Sequence, residues 1–342
     1  MTADATPAAR SPAVAGARRR THPIAWLIWT RCALGLVTLF VVSILIFAAT
    51  QLLPGNAAMA VLGHNASASA VHTMELRLGL NKPAPTQYWD WLSGVLRGRL
   101  GTSLANGQPV WSLVGPRLLN SLVLVVLAGL IGTVLGVGLG MFAAIRRDKP
   151  ADHALSVGTL AVTSLPEFVV AIFLVIIFST VLWHILPGVS PLESTSGAIK
   201  PWQDPRELVL PVAALVIVIV PYIFRMMRAA TIEAMESDYV EMARLNGLSP
   251  VRVLLRHAVP NAIAPTIQVI GLNFLYLAGG IVLVEFVFDY PGIGQGLVNA
   301  VSDRDIPQIQ FIVLVLAAFY VVMNIVTDVV TLLATPRRRV VR

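Results

Sequence analysis

Lysine is almost missing from this chain, and the three that occur, Lys82, Lys149 and Lys200, are each followed by proline. A phosphate-cradling loop ending Gly-Lys-Ser/Thr therefore cannot form, so any ATP-driven step must draw its hydrolysis from another polypeptide. Cysteine is scarcer still. Cys32 is the only one, which excludes an intrachain disulfide and a cysteine-based metal site. The six histidines are scattered, no two of them at ligand spacing on one helical face, and His-Glu-x-x-His and Gly-x-Ser-x-Gly are both absent. These absences argue against an enzyme. Charge is the last scarcity: 13% of the 342 residues are charged and 56% are hydrophobic. A soluble domain carries about 25% charge. A chain this apolar reads as a polytopic membrane protein.

The apolar residues fall into six runs, approximately 34–53, 118–145, 154–186, 208–227, 265–284 and 310–334, within a transmembrane domain taken as 24–336. The expected fold is all-α with six transmembrane helices. Residues 1–23, rich in Ala, Pro and Arg, read as a disordered basic tail, and 337–342 as a second basic tail. The first run is longer than a signal-peptide core and ends Gln51-Leu52-Leu53-Pro54 without a small-residue cleavage site, so it reads as an uncleaved span. Asn56–Arg117 is a long hydrophilic region whose Trp89, Trp91 and Trp111 read as interfacial anchors or small-core residues. In the second run Gly132, Gly136, Gly138 and Gly140 suggest a face of close helix approach. Pro166 should kink the third run, and the adjacent Glu167 must find a partner or water. It faces a protein interface or a water-filled path, or else snorkels near the cytoplasmic boundary. Pro211 and Pro221 interrupt the fourth run, and Gln268 and Asn273 are polar members of the fifth. With an inside N-terminus, most of the 25 basic residues lie on the cytoplasmic side, which puts both termini in the cytoplasm. That asymmetry also accounts for the net charge of +7 without nucleic acid.

One charged stretch interrupts the second half of the chain, Glu233 to Ala264. Ile232–Leu245 contains good helix formers only, with Met235, Tyr239, Met242 and Leu245 on one face. Gly247 supplies a helix C-terminus, and Ser249-Pro250 an N-cap followed by a first helical residue. The stretch reads as a compact helix-turn-helix, for which a DNA-reading element or an ordinary charged loop are the plain alternatives. Glu241-Met242-Ala243, then Gly247, then His257, Val259 and Pro260 follow the spacing of the EAA loop of ATP-binding-cassette importer permeases, which the segment resembles. Met242, His257 and Val259 depart from the general pattern. Arg256-His257-Ala258 and Asn261-Ala262 look more like the dipeptide/oligopeptide permease branch. So do Leu78-Gly79-Leu80, Lys82-Pro83, Gln87-Tyr88, Gly98-Arg99-Leu100-Gly101 and Gly107-Gln108-Pro109-Val110 of the first external loop. Relatives usually place Asp where Arg99 stands, so no role of that acid transfers. Phe288-Asp289-Tyr290-Pro291-Gly292-Ile293-Gly294 resembles the family's aromatic-Pro-Gly-hydrophobic-Gly element, which a tight turn alone would also explain.

The resemblance implies a type I ABC importer permease fold in a bacterial cytoplasmic membrane, surrounded by membrane lipid. It implies a homologous second permease, two ABC ATPase subunits and an extracytoplasmic solute-binding protein as partners. No cofactor is expected in this chain, because ATP and Mg²⁺ belong to the ATPase subunits. The residues implied in coupling are Tyr239, Glu241, Ala243, Arg244, Leu245, Asn246, Gly247 and Leu248. Pro166, Glu167 and Asn273 are candidates for the translocation path or its gate. Dipeptides or oligopeptides are the expected substrates, with nickel chelates, glutathione or oligosaccharides as alternatives in the same family. A self-contained channel or secondary carrier is the reading from a different class. A carrier usually has several intramembrane charges and an internal repeat, whereas Glu167 and Asp328 are nearly alone here.

Overall fold

An apolar segment in hydrocarbon has no water to satisfy its backbone, so it must close its own hydrogen bonds as a helix or a barrel. The computed structural model takes the first course. It describes residues 23–52, 57–62, 66–181, 185–190, 193–194, 197–198 and 204–334. The basic tails expected at both ends therefore lie outside the described residues, Pro23 excepted.

The chain begins with α1 (Pro23–Gln51), followed by the short α2 (Ala57–Leu62), α3 (Ala68–Leu78) and α4 (Ala84–Leu96). Then come α5 (Val110–Ile145), α6 (Pro150–Thr163) and α7 (Glu167–Val175), which a π-helical segment, Ile176–Val181, prolongs. A two-residue antiparallel ladder, β1 (Glu193–Ser194) with β2 (Gly197–Ala198), precedes α8 (Arg206–Met235). The charged stretch forms α9 (Asp238–Leu245) and α10 (Pro250–Val253). A π-helical turn, Leu254–Ala258, joins α10 to α11 (Val259–Val287), and α12 (Ile293–Ser302) and α13 (Ile306–Ala334) complete the chain. The protein is an all-α polytopic membrane protein. Among the described residues five helices are long and apolar enough to cross a membrane, or six if α6 and α7 form one bent span.

Three expectations are corrected. Helix α5 starts at Val110, so the first two turns lie in what reads as loop, and Pro116 sits inside the helix. The third run is broken, not kinked: α6 and α7 meet at 101°. Pro166 has no N–H and pushes Leu165 out of the helical region. Its carbonyl then starts α7 by accepting from the Val169 and Val170 amides at 3.0 and 3.2 Å. Pro211 and Pro221, by contrast, lie inside an uninterrupted α8.

Helix α8 survives its prolines because α5 lies directly along it. A Cβ on Gly132 would come within 2.5 Å of Ile219, one on Gly136 within 2.7 Å of Ile223, and one on Gly140 within 2.8 Å of the Phe224 carbonyl. These three glycines, four residues apart, form one helical face. Gly138 meets nothing within 4 Å and is not part of that face. The main core joins α5, α7, α8 and α11 through Leu124, Ala128, Ala171, Leu215, Leu277 and Ile281. Helix α1 packs against α13 at the side, where Arg31 Nε lies 2.7 Å from the Asp328 carboxylate.

Candidate functional site

Helix α9 is built to present one face. The stretch expected to be one helix, Ile232–Leu245, breaks instead at Ser237, which is extended (φ −78°, ψ 149°) and donates its hydroxyl to the Ala234 carbonyl at 2.5 Å. Asp238 and Glu241 then occupy the first turn of α9, where acidic side chains favour the helix dipole. Val240 and Ala243 turn inward and pack with Val253, Met235 and Leu248. Tyr239, Met242 and Leu245 lie on the outer side, Leu245 being 75% exposed. Met235 therefore does not share their face, because it belongs to α8. Gly247 ends the helix at φ +77°, with its N–H on the Arg244 carbonyl at 2.9 Å and open space where a Cβ would stand. Only the left-handed backbone explains the glycine there.

Of the residues expected to couple, Tyr239, Glu241, Arg244, Leu245, Asn246 and Gly247 are exposed. Leu248 is half-buried. Ala243 is buried, so it serves packing and does not reach an outer surface. The Tyr239 hydroxyl accepts from the Asn261 amide at 3.1 Å, which ties α9 to the start of α11. Arg244 lines a cavity of about 360 Å³ with Arg147, Glu236 and Met235, between the ends of α5, α8 and α10. Arg147 pairs there with Glu236, and that carboxylate raises the Arg147 pKa further. About two turns before Glu236 on α8, Arg228 grips the fully buried Asp152.

Glu167 stands far from this end. Helix α5 supplies a depth scale, since its charge-free run lies between Arg117 and Arg146 with its midpoint near Gly132. Gly129 touches the Phe274 ring and Gly136 lies against Ile223. Tyr276 and Tyr222, next to those contacts along α11 and α8, thus lie about one or two turns from the middle of the run. The Tyr276 hydroxyl donates to Glu167 Oε2 at 2.8 Å. Glu167 accordingly lies nearer the middle of the α5 run than its charged ends. Such a charge costs about 2.5–3.5 kcal/mol on insertion scales unless it is compensated. Pro166 makes its contribution by ending the break that places Glu167 at the start of α7. Asn273 is buried, and one N–H of its amide donates to the Val269 carbonyl of its own helix at 2.8 Å.

A third constellation lies at the opposite end from α9, at residues that read only as the end of a span and a turn. Glu285 is fully buried in the last turns of α11. Its carboxylate accepts from Ser121 Oγ at 2.5 Å and from the Gly294 and Gln295 amides at 2.7 and 3.1 Å. It thus caps the N-terminus of α12, where free amides and the helix dipole favour a negative charge. Ser121 in turn accepts from the Ile293 amide at 2.7 Å. Tyr290 is buried beside them and donates to the Asn120 carbonyl at 3.0 Å; burial first, and then the Glu285 charge, raise its phenol pKa. An acid directly after an apolar run, with Gly292-Ile293-Gly294 close behind, is the local signal that points to this cap. No group of three or more His, Cys, Asp or Glu able to hold a metal ion occurs among the described residues.

Residues 136–340 match the family described as binding-protein-dependent transport system inner membrane component, and residues 25–125 match the N-terminal component of such systems. A probable peptide ABC transporter permease of Sinorhizobium fredii is 36% identical over 298 residues, covering 87% of this chain and 94% of that protein. A di/tripeptide transport system permease of Pseudomonas aeruginosa is 35% identical over 332 residues, covering 90% and 97%. A glutathione transport system permease of Shigella flexneri is 32% identical over 308 residues, covering 90% and 96%.

Proposed function

Because the chain belongs to the binding-protein-dependent transport system inner membrane component family, we propose that it forms half of the path of an ATP-driven peptide importer and docks a separate ATPase through α9. The chain is the non-catalytic membrane component. The observation that carries the docking reading is the outward face of α9. Tyr239, Met242 and Leu245 are exposed there although Val240 and Ala243 fill the core behind them. An eight-residue helix that keeps three of its five apolar residues outside needs another surface to cover them.

The partners are a homologous second permease that completes the path, two ABC ATPase subunits that bind ATP and Mg²⁺, and an extracytoplasmic solute-binding protein. Six spans rarely enclose a wide path alone. The chain lies in a bacterial cytoplasmic membrane with its termini and α9 in the cytoplasm and α12 at the external side, supported by the placement of basic residues. The substrate is a short peptide, supported by the names of the peptide, di/tripeptide and glutathione permeases it resembles. A path-lining role for Glu167 is supported by its depth.

The test uses the reconstituted complex. Gly247→Val forces a β-branched residue into positive φ, and Glu241→Lys reverses a charge beside the outward face. Each variant inserts normally, but weakens capture of the ATPase or its stimulation by loaded binding protein. Normal capture together with normal stimulation in both would refute the docking role.

A further inference from the structure

The Glu167–Tyr276 pair belongs to a longer polar surface. The ring centroids of Tyr276 and Tyr222 are 6.4 Å apart, and the Arg225 guanidinium carbon lies 5.3 Å above the Tyr222 ring. Carboxylate, phenol, phenol and guanidinium thus follow one another across α7, α11 and α8. Tyr222, Arg225 and Tyr276 are exposed in this chain, and Glu167 is half-buried. A carboxylate at this depth does not face acyl chains uncompensated, so the surface around Glu167 faces water or protein.

Tyr276 uses only Oε2 of the Glu167 carboxylate, and an ionised carboxylate accepts about four hydrogen bonds. Its remaining lone pairs suit a compact donor with several N–H groups. The two phenol rings add faces that attract a cation within about 6 Å. Arg225, beyond them, offers a planar fork that matches a carboxylate. Ammonium at one end and carboxylate at the other is the charge pattern of a free peptide.

We propose that Glu167 and Tyr276 form a cation-accepting subsite of the translocation path, which takes the terminal ammonium of a zwitterionic peptide while Arg225 faces its carboxylate. The assignment rests on the importer-permease reading. It adds to that reading which end of the substrate meets which helix. Helix α7 contributes as well, because a carboxylate in its first turn lies at the favourable end of the helix dipole.

Gly279 gives direct access to the subsite. It is exposed on the same face as Tyr276, and a Cβ there meets nothing within 4 Å. The experiment places Gly279→Cys in a Cys32→Ala background and uses the full detergent-purified complex. Modification rates are compared for a cationic and an anionic methanethiosulfonate of similar size. The cationic reagent should react about tenfold faster, and Glu167→Gln should abolish most of that preference. Silence toward both reagents would mean that lipid or the second permease seals this face, and would overturn the proposal. A preference that Glu167→Gln leaves unchanged would overturn it too.

A second arm follows uptake of trialanine into proteoliposomes. Glu167→Gln should lower uptake about tenfold and Tyr276→Phe less, with Glu167→Asp restoring part of it at equal membrane abundance. Full uptake by Glu167→Gln would sink the ammonium assignment even if the reagent preference held. Failure of the unsubstituted complex to take up trialanine or any mixture of short peptides would instead strike the peptide reading, with the cysteine rates still deciding the cation site.

Discussion

Arg228 holds Asp152 with two hydrogen bonds of 2.6 Å, from Nε to Oδ1 and from Nη2 to Oδ2. The pair fastens the first turn of α6 to α8, and Asp152 also accepts from the Asp148 amide at 3.1 Å. Because Asp152 is fully buried, losing its partner strands a charge. Arg228→Ala should cost about 3–5 kcal/mol, and Asp152→Ala less, because the Arg228 side chain it leaves is 28% exposed. Thermal melting of the purified complex measures it. The double substitution should cost clearly less than the sum of the two, and strict additivity would show that the pair does not act as a unit.

The glycine stripe of α5 makes opposite predictions for two positions one half-turn apart. Gly136→Ala drives a methyl into Ile223 and should destabilise by about 1–3 kcal/mol. Gly138→Ala meets empty space and removes a flexible helical glycine, so it should be neutral or stabilise by about 0.5–1 kcal/mol. Equal melting shifts for the two would contradict the packing described here.

The Glu285 cap can be tested through α12. A Cβ on Gly292 would collide with the Glu285 carboxylate, so Gly292→Ala must displace it. Glu285→Gln keeps the shape but replaces one acceptor oxygen with an NH2, so either the Ser121 hydroxyl or the Gly294 and Gln295 amides lose their acceptor, at about 1–3 kcal/mol. Both should speed hydrogen exchange of the Ile293, Gly294 and Gln295 amides, with α9 as the unaffected control. Protection that does not change would remove the cap from the account.

Orientation is checked with single cysteines in the Cys32→Ala background. Ala105 and Asn246 are both exposed, near the two ends of the molecule. In intact cells Ala105→Cys should react with an impermeant maleimide and Asn246→Cys should react only after permeabilisation. The reverse pattern would invert the proposed topology.

What was legible in the sequence is what short-range chemistry dictates. The apolar runs fix the helices because hydrocarbon leaves the backbone no other donor or acceptor. Gly247 fixes the end of α9 because few other residues take positive φ readily. What stayed hidden depends on partners distant in the chain. Glu167 meets Tyr276 across 109 positions, and Glu285 meets Ser121 across 164. No local pattern announces such meetings, so Glu167 could be read as a boundary residue, and Glu285 could pass for loop. The break at Ser237 is hidden for a different reason: no Gly or Pro marks it, and only the Ser-Asp step with Glu241 behind it signals a new beginning.

The sharp bend between α6 and α7 has a consequence for how the membrane is crossed. Helix α6 has 14 residues, and α7 with its π-helical continuation has nine and six. Each half falls short of the roughly 20 residues that cross a bilayer. Neither half is long enough to cross a bilayer unaided, so the two cross only as a pair. The Arg228 that neutralises Asp152 lies 76 positions later, on α8. The bent span is thus completed by a helix that follows it in the chain.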